Sequence, residues 1–122
     1  MGNDCITFYD RSGHAIAYLA DDGSSIFTYP GAAVAYLVDD GIFDYRGTFL
    51  GWFIDGWVID RSGDRVFFTH NAPGGPVKPV RSVRPVRGVK SVKPVKGVKQ
   101  LRPVRPVRSL SWSDLSADQF FQ

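Results

Sequence analysis

The sequence predicts an all-β fold: a small, shallow up-and-down barrel of four pseudo-repeated β-hairpins at 1–75, an extended basic triplet-repeat tail at 76–110, and a short C-terminal helical segment at 111–122. Three observations carry this. All five Tyr, two of the three Trp and seven of the nine Phe precede residue 70, so one segment holds the apolar mass for a core. That segment repeats itself four times. Beyond it the chain changes to a three-residue period that suits neither helix nor strand.

The repeats run Phe8 to Leu19, Phe27 to Leu37, Phe43 to Phe53 and Val58 to Thr69, and they align on Gly13, Gly31, Gly47 and Gly63. Each is a short run of β-branched and aromatic residues, a Gly-containing turn and a second such run, which is the pattern of a hairpin. Asp10-Arg-Ser-Gly13 and Asp60-Arg-Ser-Gly63 suit a type I turn with a Gly bulge, and Pro30-Gly31 suits the central pair of a type II turn. Asp21-Asp-Gly23, Asp39-Asp-Gly41 and Asp55-Gly56 mark the turns between units, so eight strands form one meander.

Strict alternation in the second strands places Ile16, Val34, Leu50 and Val66 on one face with Tyr18, Tyr36, Trp52 and Phe68. Ala17, Ala35 and Gly51 share the other face with Leu19, Leu37 and Phe53. A sheet apolar on both faces must curl up or be covered, and closure also removes its open edges. The ring of Tyr18, Tyr36, Trp52 and Phe68 is then a candidate apolar ligand pocket. The small column of Ala17, Ala35 and Gly51 marks where another element approaches, and Phe67 breaks it in the fourth unit.

The four hairpins, the Pro-Val-Lys/Arg triplets and the closing Ser-Leu-Ser-Trp-Ser segment resemble the bacterial four-fold β-flower family over nearly the whole chain. The resemblance implies a shallow pseudosymmetric barrel, loosely similar to lipid-associated tubby-like barrels. It implies no catalytic residues. The fourth unit departs from the others, with Val58-Ile59 for the Phe and Arg65 where others carry Ala or Phe.

From Val77 to Ser109 the chain reads as triplets of Val (once Leu101), a cation, and Pro, Ser, Gly or Gln. Its cations are Lys78, Arg81, Arg84, Arg87, Lys90, Lys93, Lys96, Lys99, Arg102, Arg105 and Arg108, a candidate anion-binding surface facing a −6 balance in residues 1–75. The matching backbone is polyproline II, with valines, cations and small residues on separate edges and a reach on the order of 100 Å when extended. Disorder does not call for a valine in every triplet, so the valine edge is expected to dock, with the cations meeting Asp21, Asp22, Asp39, Asp40 and Asp55. The Pro76 to Arg81 and Pro103 to Arg108 spacings also match ligands of aromatic grooves, as any such triplet repeat does. In the C-terminal segment Ser113 suits a helix N-cap, and Trp112, Leu115 and Phe120 want cover, for which the barrel is nearest.

No catalytic constellation is present: His14 and His70 stand alone, and the chain has no Glu. No metal or cofactor is expected, since turn chemistry explains the Asp pairs. Cys5 reads as a structural or incidental thiol, Gly2 lacks the Ser or Thr that myristoylation wants at position 6, and no leader or membrane span is visible, so the expected location is cytoplasmic. The function expected is a non-enzymatic binding module for an apolar ligand or anionic lipid. The alternatives are nucleic-acid binding by the tail, and a structural or assembly protein whose tail docks on its own barrel.

Overall fold

The computed structural model describes residues 6–122, so the readings of Gly2 and Cys5 lie outside the described residues. Strands β1 (Ile6–Tyr9), β2 (Ala15–Leu19), β3 (Ser25–Thr28), β4 (Ala33–Val38), β5 (Gly41–Phe43), β6 (Phe49–Ile54), β7 (Trp57–Asp60) and β8 (Arg65–Phe68) follow chain order around a closed antiparallel barrel. Among the described residues the closing junction of β1 with β8 is the single pair Tyr9 and Phe68. Strands of three to six residues make a barrel only about 10–20 Å tall.

All four hairpin turns share one frame. The N–H groups of Gly13, Gly31, Gly47 and Gly63 donate to the carbonyls of Asp10, Thr28, Asp44 and Asp60. The carboxylates of Asp10, Asp44 and Asp60 also accept two backbone N–H groups each, which locks the turn. This frame corrects the placing of Pro30-Gly31: they occupy the third and fourth turn positions rather than the central pair, with Thr28 standing where the other turns have Asp.

Each hairpin also carries a register shift at one equivalent place. Phe8 pairs with Ala17 but Tyr9 with Ala15, and the pairings Ile26–Ala35 then Phe27–Ala33, Ile42–Gly51 then Phe43–Phe49, and Val58–Phe67 then Ile59–Arg65 repeat the skip. The residues passed over are Ile16, Val34, Leu50 and Val66. A bulge breaks period two locally, so these four pack into the interior cluster, Leu50 and Val66 buried and Ile16 and Val34 half-buried, while Tyr18, Tyr36, Trp52 and Phe68 belong to other clusters. The expectation that the two sets share a face is thereby corrected.

The interior cluster spans the lumen, since Phe8 of β1 meets Phe53 of β6 with ring centroids 5.3 Å apart across non-neighbouring strands. Into it comes Phe120 from α1 (Ala117–Phe120). Its ring edge lies 3.2 Å from where a Cβ on Gly51 would sit, and it meets Phe67 at 5.8 Å. The small column thus makes room for a plug. The helix is capped by Ser116 in a reciprocal capping box with Gln119, and not by Ser113. Ser113 is buried and donates to the Asp60 carboxylate at 2.5 Å, while its carbonyl accepts from Arg11 at 3.5 Å. Trp112 packs outside on Trp57 and Phe68, and Leu115 stays exposed, against expectation.

Candidate functional site

The tail is laid around the outer face of the barrel in step with the hairpins. A Cβ on Gly13 would lie 2.2 Å from the Val80 carbonyl oxygen; Gly31 stands in the same relation to Val89, Gly47 to Val98 and Gly63 to Val107. The contacts recur every nine residues, three triplets to a hairpin. At equivalent places Ser82, Ser91, Gln100 and Ser109 donate their N–H groups to the carbonyls of Gly13, Gly31, Gly47 and Gly63. The Ser91 hydroxyl and the Gln100 amide oxygen accept the Ala33 and Phe49 N–H groups beside the bulges.

Inside this nine-residue unit the residue facing each turn matches that turn. Gly88 and Gly97 donate to the carbonyls of Tyr29 and Tyr45, and a Cβ on either would strike the carbonyl of Pro30 or Arg46. Pro79 and Pro106 take the same place against the first and fourth turns, where Arg11 and Arg61 replace the tyrosines. The order Pro, Gly, Gly, Pro therefore fixes the register, because sliding the tail by one unit would set a proline, which has no N–H, against Tyr29.

Most of the tail cations turn toward the barrel. Arg87 lies 4.1 Å over the Tyr18 ring, Lys96 4.4 Å over Tyr36, Lys90 5.2 Å over Phe27, Lys78 5.4 Å over Trp57 and Arg81 5.7 Å over Tyr9. Such contacts are worth about 0.5–2 kcal/mol each, more as water is excluded. Burial pushes the phenols of Tyr36 and Tyr45 above their ordinary value, which keeps them neutral. Other cations reach the loops between hairpins: Lys93 to Asp22, Arg102 to Asp39 and Asp40 and also to the Val38 carbonyl, Arg105 to Asp40, and Arg108 to Asp55. Lys99 makes no ion pair or ring contact among the described residues.

The valines face the other way, each at least 91% exposed. This corrects the expectation that the valine edge docks. The barrel's outer face offers aromatic rings, carbonyls and carboxylates, which suit cations and N–H groups and leave nothing for an aliphatic side chain. The aromatic ring is corrected too. Tyr18 stacks on Phe27, Tyr36 on Phe43 and Phe68 on Tyr9, while Trp52 meets Phe49 edge-on, so all four are buried against their neighbours, Tyr18 in one cluster and the other three in a second, as core rather than as the lining of a pocket.

A family profile described as 4-fold beta flower protein matches residues 6–121. The chain belongs to this family. No curated protein and no solved structure matches it.

In this β-flower the strap is fastened at its end by Arg65, which no repeat logic predicts. Arg65 is buried, lies 4.6 Å over Trp57, and donates through Nε to the Ser109 carbonyl. Burial, helped by nearby Arg108, lowers its pKa from the usual guanidinium value. Its backbone brackets the segment, with Arg65 N–H donating to Ser111 O and Ser113 N–H donating to Arg65 O. Of the histidines, His14 lies beside Asp10 and His70 is exposed at the barrel seam. Among the described residues no group of three or more metal-type ligands occurs, and no helix there is long and apolar enough to cross a membrane.

Asp22 supplies a pH handle on this fastening. The Ser25 hydroxyl first, then the Ser25 and Ser24 N–H groups and Lys93, hold its carboxyl far below the usual carboxylate range. Since the folded value is depressed, its stabilisation is present in full above the unfolded value of about 3.9 and lost as the pH falls through the folded one. Asp22→Asn is expected to flatten that part of the acid limb of a stability-against-pH curve, and a limb identical to the parent's would contradict this.

Proposed function

We propose that this β-flower is a non-enzymatic structural and assembly module, in which the basic tail straps its own barrel and presents a row of aliphatic residues outward. The observation that carries this is the nine-residue spacing of Val80, Val89, Val98 and Val107 against four turn glycines in chain order. Cations laid over rings and paired with loop carboxylates are spoken for, so an anionic vesicle or nucleic acid must compete with the intramolecular contact. Tethering gives that contact a high effective concentration.

Amide exchange tests the reading. The N–H groups of Ser82, Gly88, Ser91, Gly97, Gln100 and Ser109 should be protected and their neighbours on the valine edge should not. Substituting Val86 with Ser should change stability by no more than about 0.5 kcal/mol, as for other exposed sites. Exchange at free-peptide rates along 77–109, or tight vesicle or nucleic-acid binding at physiological salt that leaves the barrel unstrapped, would defeat the reading.

A further inference from the structure

The strap holds its aliphatic side chains in open solvent. Eleven of them run from Val77 to Val107, each at least 91% exposed. The backbone that carries them is pinned to the barrel by N–H bonds and by cations laid over rings. A polyproline II backbone, with three residues per turn, spaces them about 9 Å apart. Each bares on the order of 100 Å² of apolar surface and the row as a whole about 1,000 Å², where the largest patch on a typical monomer is roughly 300–600 Å².

The course of the row selects what can cover it. Val80, Val89, Val98 and Val107 stand against the turn glycines of the four hairpins in succession, so the row encircles the closed barrel and every side of the wall shows one quarter of it. A flat bilayer laid against the wall, or a single groove, reaches one quarter and leaves the other three in water. A second copy presents the same row at the same level, and further copies can do so on every side. Two copies standing side by side and facing the same way meet with their rows antiparallel, because both straps circle in the same sense. Such a contact is self-complementary about a two-fold axis, and the gap of about 9 Å between successive valines of one row admits a valine of the other.

Charge permits the approach. Lys93, Arg102, Arg105 and Arg108 are paired with loop carboxylates of their own chain, and the whole chain carries a net charge of only +3. Two straps therefore meet without the repulsion that a fully bare row of cations on each would bring. Size sets the strength. One quarter holds three aliphatics, about 300 Å², well under the roughly 800 Å² per partner of a stable dimer.

We propose that copies of this chain associate edge to edge through their valine rows, each with as many as four neighbours in one layer. The contacts are individually weak and hold when several form together. This inference rests on the tail being docked as a strap.

Sedimentation equilibrium of the full chain, with amide exchange recorded at the same concentrations, tests it. From about 1 μM to about 1 mM the mass should climb past the dimer without levelling, the range in which contacts of this size dissociate. Added sodium chloride should leave the climb in place, because the contact is aliphatic. The combined variant Val80→Ser, Val89→Ser, Val98→Ser and Val107→Ser removes one aliphatic from every quarter. It should move the climb to concentrations at least about tenfold higher, with Ser82 and Gly88 still protected. With that protection intact, a monomer throughout, a mass that levels at the dimer, an association that salt dissolves, or a climb that the four substitutions leave unmoved would overturn the layer while the strap stands. Flotation of the full chain with neutral phosphatidylcholine vesicles, abolished by the four substitutions, would assign the row to lipid and overturn it too. Loss of the protection in the parent protein would overturn both layer and strap.

Discussion

Truncating Phe120 to Ala is expected to destabilise the protein by about 3–5 kcal/mol, the range for a large buried aromatic. The ring is 3% exposed and lies among Phe67, Phe121 and the bare backbone of Gly51. Little can collapse into the space it leaves, because the surrounding wall is a closed ladder of hydrogen bonds with its spacing fixed. The cavity therefore persists, and the cavity contribution adds to the lost transfer energy. Denaturant unfolding measures this directly. A loss under about 1 kcal/mol would mean that the C-terminal segment is an accessory and the barrel holds its core without a plug.

Replacing Gly47 with Ala should have the next largest effect, and through two separable causes. Gly47 has φ +98°, a conformation that costs an L residue on the order of 1–2 kcal/mol. Its new methyl would also stand 2.0 Å from the Val98 carbonyl oxygen, so the third unit of the strap must lift. Lifting it releases the Gly97 bond to Tyr45 and the two Gln100 bonds to Gly47 and Phe49, each worth about 0.5–1.5 kcal/mol. Gly23 provides the control. It too has positive φ, at +72°, but nothing lies within 4 Å of a Cβ there, so Gly23→Ala should show the backbone cost alone. The difference between the two variants, together with loss of amide protection confined to residues near 97 and 100, isolates the strap. Equal losses in both would show that the Val98 contact carries no energy.

The hairpins were legible because each turn announces itself locally, through an Asp or Thr that accepts backbone N–H groups and a Gly three residues on. The bulges were not. A run such as Ala15-Ile-Ala-Tyr-Leu19 alternates acceptably whether or not one residue is skipped, and only the partner strand reveals the skip at Ile16. That single missing fact moved Tyr18, Tyr36, Trp52 and Phe68 from the inferred pocket to the outer face. The nonapeptide was readable in principle. Pro79, Gly88, Gly97 and Pro106 stand nine apart, as do Ser82, Ser91, Gln100 and Ser109, but the triplet inside each unit satisfies a shorter period and hides the longer one. The facing of the valines defied the usual rule that apolar residues turn inward, because the surface beneath the tail was already filled with rings and carbonyls.

The seam where β8 meets β1 is joined, among the described residues, by one residue pair, the least ladder bonding of any junction there. The tail leaves β8 there, passes over the first hairpin, circles the wall and finishes on the fourth, and the Ser113 carbonyl beyond it reaches back to Arg11 of the first hairpin. The arrangement is that of a cask, in which staves that barely adhere at one joint are held by a hoop whose ends overlap across it. Fraying of β1 or β8 alone then gains no freedom for the chain, because the hoop must first slacken around the full circumference, and the shallow wall and its binding open and close as one unit.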